Sequence, residues 1–317
     1  MKWKKQGKIF DPTTFKLFNE YHEFAQSPQA LVFDDFVRIY FSVRKKDLSG
    51  KYLSHIAFID MDKQFNKIIN NSSQTVIELG RPGCFDEHGI FPMNVVRDKN
   101  KIISYTCGWS RRISVPVETS IGLAVSRDNG LTFGKSGDGP ILTASLYEPF
   151  LVGDPFVTIF NGNYFMWYIY GTRWIQPAGN ESPERVYKIG CATSGDGINW
   201  QKKNRQVIPD KLNADECQAL PSVIKLGTKY FMVFCYRQAI DFRTNKANAY
   251  RLGLAYSEDL NHWVRDDRNL GIDVSENGWD SDMMCYPNIF ECDGRIYLLY
   301  NGNEFGRYGF GLALLEN

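Results

Sequence analysis

Pro28-Gln-Ala-Leu-Val-Phe33, Pro92-Met-Asn-Val-Val96, Pro155-Phe-Val-Thr-Ile-Phe160, Pro221-Ser-Val-Ile-Lys-Leu226 and Pro287-Asn-Ile-Phe-Glu291 are five short apolar runs, each opened by a proline. The prolines lie 64, 63, 66 and 66 residues apart. Proline has no backbone donor, so it suits the first residue of a strand and not its middle. A regular period filled with strands marks radially repeated sheets. Five such repeats predict five blades.

The remainder of each repeat carries the same pattern. An aromatic-rich strand follows each proline run, at residues 39–44, 102–105, 164–168, 230–234 and 296–300. A third strand with a Gly-x-Ala signature covers 121–124, 189–192, 252–255 and 310–313, with a degenerate copy ending at Ala57. Three of these run into Ser-x-Asp turns at Ser126, Ser194 and Ser257, which lead to Phe133, Trp200 and Trp263. Asp bonds its local backbone and Gly accepts positive φ, so these turns read as structural, and Trp167, Trp200 and Trp263 as packing aromatics. Four strands per repeat make a propeller blade. The last repeat runs out of chain near Ala313, and residues 2–10 resemble the outer-strand segment that begins at Trp200. The expected fold is all-β: one five-bladed β-propeller domain over residues 1–317, its blades four-stranded and its ring closed by the N-terminal strand.

Composition narrows the function classes. The formal net charge is +1, which argues against nucleic acid and anionic membranes as partners. No stretch approaches the length of a membrane span, and the basic start Met-Lys-Trp-Lys-Lys lacks the apolar core of a signal peptide. Seven scattered cysteines without Cys-x-x-Cys spacing fit a reducing compartment and no zinc site. The reading is a cytoplasmic protein without metal or cofactor.

The chemistry is expected on one rim, where the segments before the prolines meet the ends of the second strands. Before the prolines lie Glu23, Asp86-Glu87-His88, Gly153-Asp154, Asp215-Glu216 and Asp282. Glu23, Glu87, Glu216 and Asp282 each stand five residues before a proline. The second strands contribute Arg44, Trp109, Arg237, Asn301 and Asn303, with Trp174 just beyond the third. Carboxylates, guanidinium groups and tryptophans converging on a funnel suit an oligosaccharide or glycoside. Paired carboxylates also supply the acid and base, or nucleophile, of glycosidic cleavage.

Taken together, these residues resemble the five-bladed propeller glycosidases: arabinanases and xylosidases, invertases and levansucrases, and mannoside phosphorylases. Phe85-Asp86-Glu87-His88-Gly89-Ile90 and Tyr300-Asn301-Gly302-Asn303-Glu304-Phe305-Gly306 resemble segments of a bacterial glycosidase-like group found alongside surface-polysaccharide genes. The resemblance implies a glycoside hydrolase in which Asp154 orients the sugar and Glu216 donates the proton. Pro28 follows Gln26-Ser27 where those families carry a first-blade acid, so Asp86 or Glu87 is the expected substitute. The other substrate-binding candidates are Glu23, Arg44, His88, Trp109, Trp174, Arg237, Asp282, Asn301 and Asn303. Two alternatives remain. One is a glycoside phosphorylase or glycosyl-transfer enzyme, with phosphate held by Arg44, Arg111, Arg112 or Arg237. The other is a non-catalytic glycan-binding propeller. The turn at 126–133 also resembles the Asp-box of sialidases, but those have six blades.

Overall fold

The computed structural model describes residues 1–18, 23–179 and 181–316. After the N-terminal strand β1 (Trp3–Phe10), the first repeat folds as the antiparallel meander β2 (Gln26–Val32), β3 (Val37–Lys46), β4 (Tyr52–Met61) and β5 (Ile68–Asn71). The second is β6 (Gly89–Asp98), β7 (Lys101–Arg111), β8 (Val117–Ser126) and β9 (Gly134–Lys135). The third is β10 (Val152–Phe160), β11 (Asn163–Ile175), β12 (Glu184–Ser194) and β13 (Gln201–Lys202). The fourth is β14 (Glu216–Leu226), β15 (Lys229–Gln238), β16 (Arg251–Ser257) and β17 (Val264–Arg265). The last has β18 (Cys285–Cys292), β19 (Arg295–Asn301) and β20 (Phe310–Leu315), and β1 pairs antiparallel with β20 as its outer strand. One parallel pair, Ser54 with Gly89, joins the first two meanders into an eight-stranded sheet.

The first strands of the repeats pack in a cycle: β2 on β6, β6 on β10, β10 on β14, β14 on β18, and β18 back on β2. Their inner edges carry backbone donors with no strand beyond them, and side chains of neighbouring first strands take those donors. Ala30 N–H donates to Asn288 Oδ1 at 2.9 Å, Val157 N–H to Asn94 Oδ1 at 2.9 Å, and Ile289 N–H to Ser222 Oγ at 3.0 Å. Gln29 Oε1 accepts from both Asn94 and Asn288, each at 3.3 Å. A buried polar belt thus replaces the missing ladder.

The prolines do not open these strands. Each lies inside one, at a break in register: between Gln26 and Gln29, Ile90 and Met93, Gly153 and Phe156, Ala219 and Ser222, and Cys285 and Asn288. An innermost strand has a free edge, so a residue without N–H is tolerated there, at a bulge. The residue before the proline has φ of 54° at Ser27, 48° at Asp154, 44° at Leu220 and 57° at Tyr286, and the Phe91–Pro92 peptide is cis.

The Ser-x-Asp turns latch each repeat to the one before. Tyr40 of β3 donates to the Gly130 carbonyl at 2.7 Å and packs edge-on against Phe133. Tyr105 of β7 donates to the Gly197 carbonyl at 3.0 Å and meets Trp200, while Trp167 of β11 meets Trp263 with ring centroids 5.7 Å apart. At the junction of the last and first repeats, Phe10 packs between Phe41 and Phe310. Trp3 and Phe10 are buried, each worth ~1.5–3 kcal/mol by area. Deleting residues 1–10 therefore removes several kcal/mol from a domain whose total is of order 5–15 kcal/mol, and bares the edge of β20. The truncated chain is expected to melt many degrees lower or to aggregate, as read by scanning calorimetry and light scattering. A melting transition equal to that of the full chain would show that β1 does not stabilise the ring.

Candidate functional site

A cavity of about 320 Å³ opens where second strands end and third strands begin. Three classes of position line it. The second strands give Arg44 of β3, Trp109 of β7 and Arg237 of β15. The third-strand side gives Tyr52 and Ser54 of β4, Thr119 of β8, Arg185 and Tyr187 of β12, and Tyr250 just before β16. The bulges give Gln26, Phe91, Asp154 and Tyr286. Phe242, Arg243 and Phe305 complete one wall. At Asp154 and Tyr286 the bulge explains the placement: a left-handed residue beside proline turns its side chain off the sheet.

Asp154 is the single acidic residue among the described lining. It is 8% exposed, and the backbone of Leu220 on the neighbouring first strand favours its charged form. Burial pushes its pKa up to about 7, against the opposing pull of Arg185. A left-handed, non-glycine residue costs on the order of 1–3 kcal/mol, and such strain clusters at functional sites.

The arginines dominate the charge. Arg237 is 2% exposed; it donates to the carbonyls of Gln238 and Ala239 and stacks over Phe242 at 3.5 Å. Arg44 stacks over Phe24 at 4.6 Å. Burial lowers the pKa of Arg44, with Arg243 and Arg185 adding to that and Tyr286 and Tyr52 opposing it. Arg243 is ion-paired with Glu184. Among the described residues, Arg44, Arg185 and Arg237 form no ion pair with a carboxylate. Tyr187 and Tyr250 share a hydrogen bond of 2.6 Å between their hydroxyls.

Of the residues read from the sequence, Asp154, Arg44, Trp109 and Arg237 meet in this cavity. The others stand elsewhere. Glu216 is fully buried away from it: its carboxylate takes Arg265 at 2.6 Å, Gln218 at 2.9 Å, and the N–H groups of Lys211 and Leu212 at 2.9 Å each. Burial raises its pKa, but Arg265, Gln218 and Leu212 outweigh that, so the net shift is downward, the wrong direction for a proton donor. Parity gives the reason: Cys217 faces Arg237 across the ladder and Glu216 faces Gln238, so Glu216 points to the opposite side of the sheet.

Asp86 is buried against Lys135, and Glu87 accepts from the Gly83 N–H at 2.7 Å on an outer surface. Glu23 pairs with Arg307 at 2.6 Å, and Asp282 with Lys246 at 2.5 Å. Asn301 is buried, receiving the Ser27 N–H and donating to the carbonyls of Ala25 and Gly309. Asn303 receives the Asp282 N–H at 2.8 Å. Trp174 lines a separate shallow groove with residues 111–115. His88 stacks behind Trp109 at 5.8 Å and accepts from the Arg111 N–H, which supports the indole without reaching the cavity. Gly89 makes that placement possible, because a Cβ there would lie 2.2 Å from Trp109 Nε1.

Known proteins bear on this geometry in two ways. "Uncharacterized protein MT1551" of Mycobacterium tuberculosis (strain CDC 1551 / Oshkosh) is 33% identical over 318 residues, covering 100% of both chains. The chain belongs to its family. No family model matches the chain. Among solved structures, a "Glycoside hydrolase" has a TM-score of 0.73 at 15% identity, covering 99% of this chain and 93% of its own. The β-1,2-mannobiose phosphorylase from Listeria innocua has a TM-score of 0.70 at 12% identity, covering 99% and 96%. A thermostable family-43 glycoside hydrolase has a TM-score of 0.63 at 14% identity, covering 92% and 88%. The fold of this family is that of the propeller glycosidases.

Two substitutions separate structural from site carboxylates. Glu216→Gln breaks a buried ion pair and is expected to cost about 3–5 kcal/mol in chemical denaturation. Asp154 carries a raised folded pKa, so its contribution to stability is full at low pH. That contribution is lost as pH rises from the ordinary 3.8 to about 7. Asp154→Asn should flatten this decline, leaving the variant more stable than wild type at pH 8 relative to pH 4. Parallel melting curves at the two pH values would show that Asp154 does not titrate this way.

Proposed function

We propose that the protein is a carbohydrate-active enzyme, a five-bladed propeller that acts on a glycosidic bond in the axial cavity with Asp154 as proton donor. The observation that carries this reading is Asp154: buried, strained and with a pKa near neutrality, in the lining of a cavity that gathers arginines, tyrosines and Trp109. A carboxyl of that pKa keeps much of its proton at neutral pH and can release it to a departing sugar oxygen. Trp109 offers an apolar face to a sugar ring. The cavity volume, at the low end of the ~300–1,000 Å³ usual for small-ligand sites, suits one substituted ring rather than a polymer.

Hydrolysis by two carboxylates needs a second acid, and among the described lining residues Asp154 stands alone. That observation favours a second reading, phosphorolysis, in which phosphate attacks the anomeric carbon and needs no carboxylate base. Six of the seven cysteines are buried and all seven are free, which supports a reducing, cytoplasmic setting. Among the described residues no helix is long and apolar enough to cross a membrane.

Glycosides incubated with and without phosphate, with products separated as free sugar or sugar 1-phosphate, distinguish the two readings. Asp154→Asn should lower turnover of a natural glycan by about 10²–10⁴, the range of general acid catalysis. An aryl glycoside with a good leaving group should recover much of that loss. Wild-type kcat/KM should fall as pH rises through about 7, where Asp154 loses its proton. An Asp154→Asn variant with full turnover would remove it as the acid.

A further inference from the structure

We infer that the sugar bound in the axial cavity is itself acidic, bearing a carboxylate or a phosphoryl group that Arg44, Arg185 and Arg237 hold. The inference rests on the cavity being a glycan site.

Three guanidinium groups converge there from the first, third and fourth repeats. Arg44 ends β3, Arg185 begins β12 and Arg237 ends β15. Their fields overlap: Arg185 acts on both Arg44 and Asp154, and with Arg237 on Tyr187. Among the described residues no carboxylate pairs with any of the three. Asp154 does not neutralise them, since burial keeps it protonated up to about pH 7 despite Arg185. Arg243 already has Glu184. Holding uncompensated charges in a partly buried cavity is unfavourable, and an anionic ligand offsets that cost.

The orphaned polar atoms point the same way and say more. Arg44 Nε and Arg237 Nε are buried donors with no hydrogen-bond partner, although Arg237 is 98% buried. Gln26, 1% exposed, gives its Nε2 to the Phe305 carbonyl at 2.7 Å and leaves Oε1, a buried acceptor, unpaired. Planar guanidinium forks match the paired oxygens of carboxylate and phosphate. An orphaned amide oxygen needs a donor, which a bare oxyanion lacks and a sugar hydroxyl has. Donors for an anion beside an acceptor for a hydroxyl, with Trp109 for the ring, describe one ligand: a sugar carrying its own negative charge.

The test is equilibrium binding by titration calorimetry, which requires no turnover. Matched pairs serve as probes: methyl glucuronide against methyl glucoside, galacturonate against galactose, N-acetylneuraminate against N-acetylmannosamine, and glucose 1-phosphate against glucose. Inorganic phosphate is included alone. At least one acidic member should bind 10-fold or more tightly than its neutral partner and than inorganic phosphate. Carboxylate and phosphoryl sources are told apart by which pair shows the gap. Arg44→Met and Arg185→Met, each checked for an unchanged melting temperature, should weaken that ligand roughly 10- to 100-fold, as expected for charged hydrogen bonds. Arg44→Lys and Arg185→Lys, which keep the charge, cover the case in which a methionine variant unfolds and should retain part of the affinity. Binding of the neutral members as tightly as the acidic ones overturns the inference. So does the absence of any acidic ligand across the panel. Inorganic phosphate binding as tightly as the best acidic sugar also overturns it, in favour of a free-phosphate site. Tight binding of an acidic sugar that is never cleaved would leave this inference standing and remove the catalytic reading.

Discussion

The inner edges of β2, β6, β10, β14 and β18 set the constraint on which the rest depends. Each edge presents backbone donors toward the axis, where no further strand can pair with them. Asn94, Ser222, Asn288 and Gln29 take up or link those donors from the neighbouring strand, which ties β10 to β6, β6 to β2, β2 to β18 and β18 to β14. Were these side chains apolar, buried N–H groups would stand unpaired at about 1–3 kcal/mol each. The belt also fixes how closely the strands approach, and that spacing sets the width of the cavity above it.

The prolines follow from the same constraint. On a strand whose inner edge has no ladder, a missing N–H loses nothing, and a bulge lets the chain change direction. The register breaks at all five positions, and at four of them the residue before proline is left-handed. The repeating motif therefore shapes the strands and the cavity together. It places Asp154, Tyr286 and Phe91 in the lining of the axial cavity, while Ser27 at an equivalent position gives its backbone N–H to Asn301. The outer latches through Tyr40, Tyr105 and Trp167 act far from the axis and hold the repeats in the order that makes the bulges converge.

This geometry explains which residues were legible in the sequence. The repeat period and the N-terminal strand could be read because proline spacing and aromatic runs are local signals. Arg44, Trp109 and Arg237 were found because they end second strands, and a strand end is placed by its hairpin. Asp154 was found from its own proline. The acids five residues upstream were misleading. Glu216 shares a strand with the bulge, but alternation turns it to the far face, where Arg265 holds it. Glu23 and Asp282 are spent on Arg307 and Lys246. Arg185, Tyr187 and Tyr250 carry no such local signal, because it is the antiparallel register that brings third-strand starts to the rim: Thr119 opposite Trp109, Ser54 opposite Arg44. Gln26 and Tyr286 carry no acidic signal in the sequence, though they sit at bulges of β2 and β18 equivalent to that of Asp154 in β10.

What distinguishes the cavity from the surrounding structure is that its charges are left unbalanced. Elsewhere in the molecule buried ions are matched: Arg38 with Asp60, Lys188 with Asp210, Arg265 with Glu216 and Asp267. A chain that pairs its interior charges so consistently has carboxylates available nearby, yet Glu184 neutralises Arg243 rather than Arg185 beside it. Arg237 is held by Phe242 and two carbonyls, which orient the guanidinium without cancelling its charge. Asp154, the one carboxyl among the described lining residues, has its pKa pushed up to about 7 by burial. Guanidinium groups left without carboxylates and a carboxyl held largely neutral by burial therefore line one cavity, a combination that the paired interior elsewhere does not show.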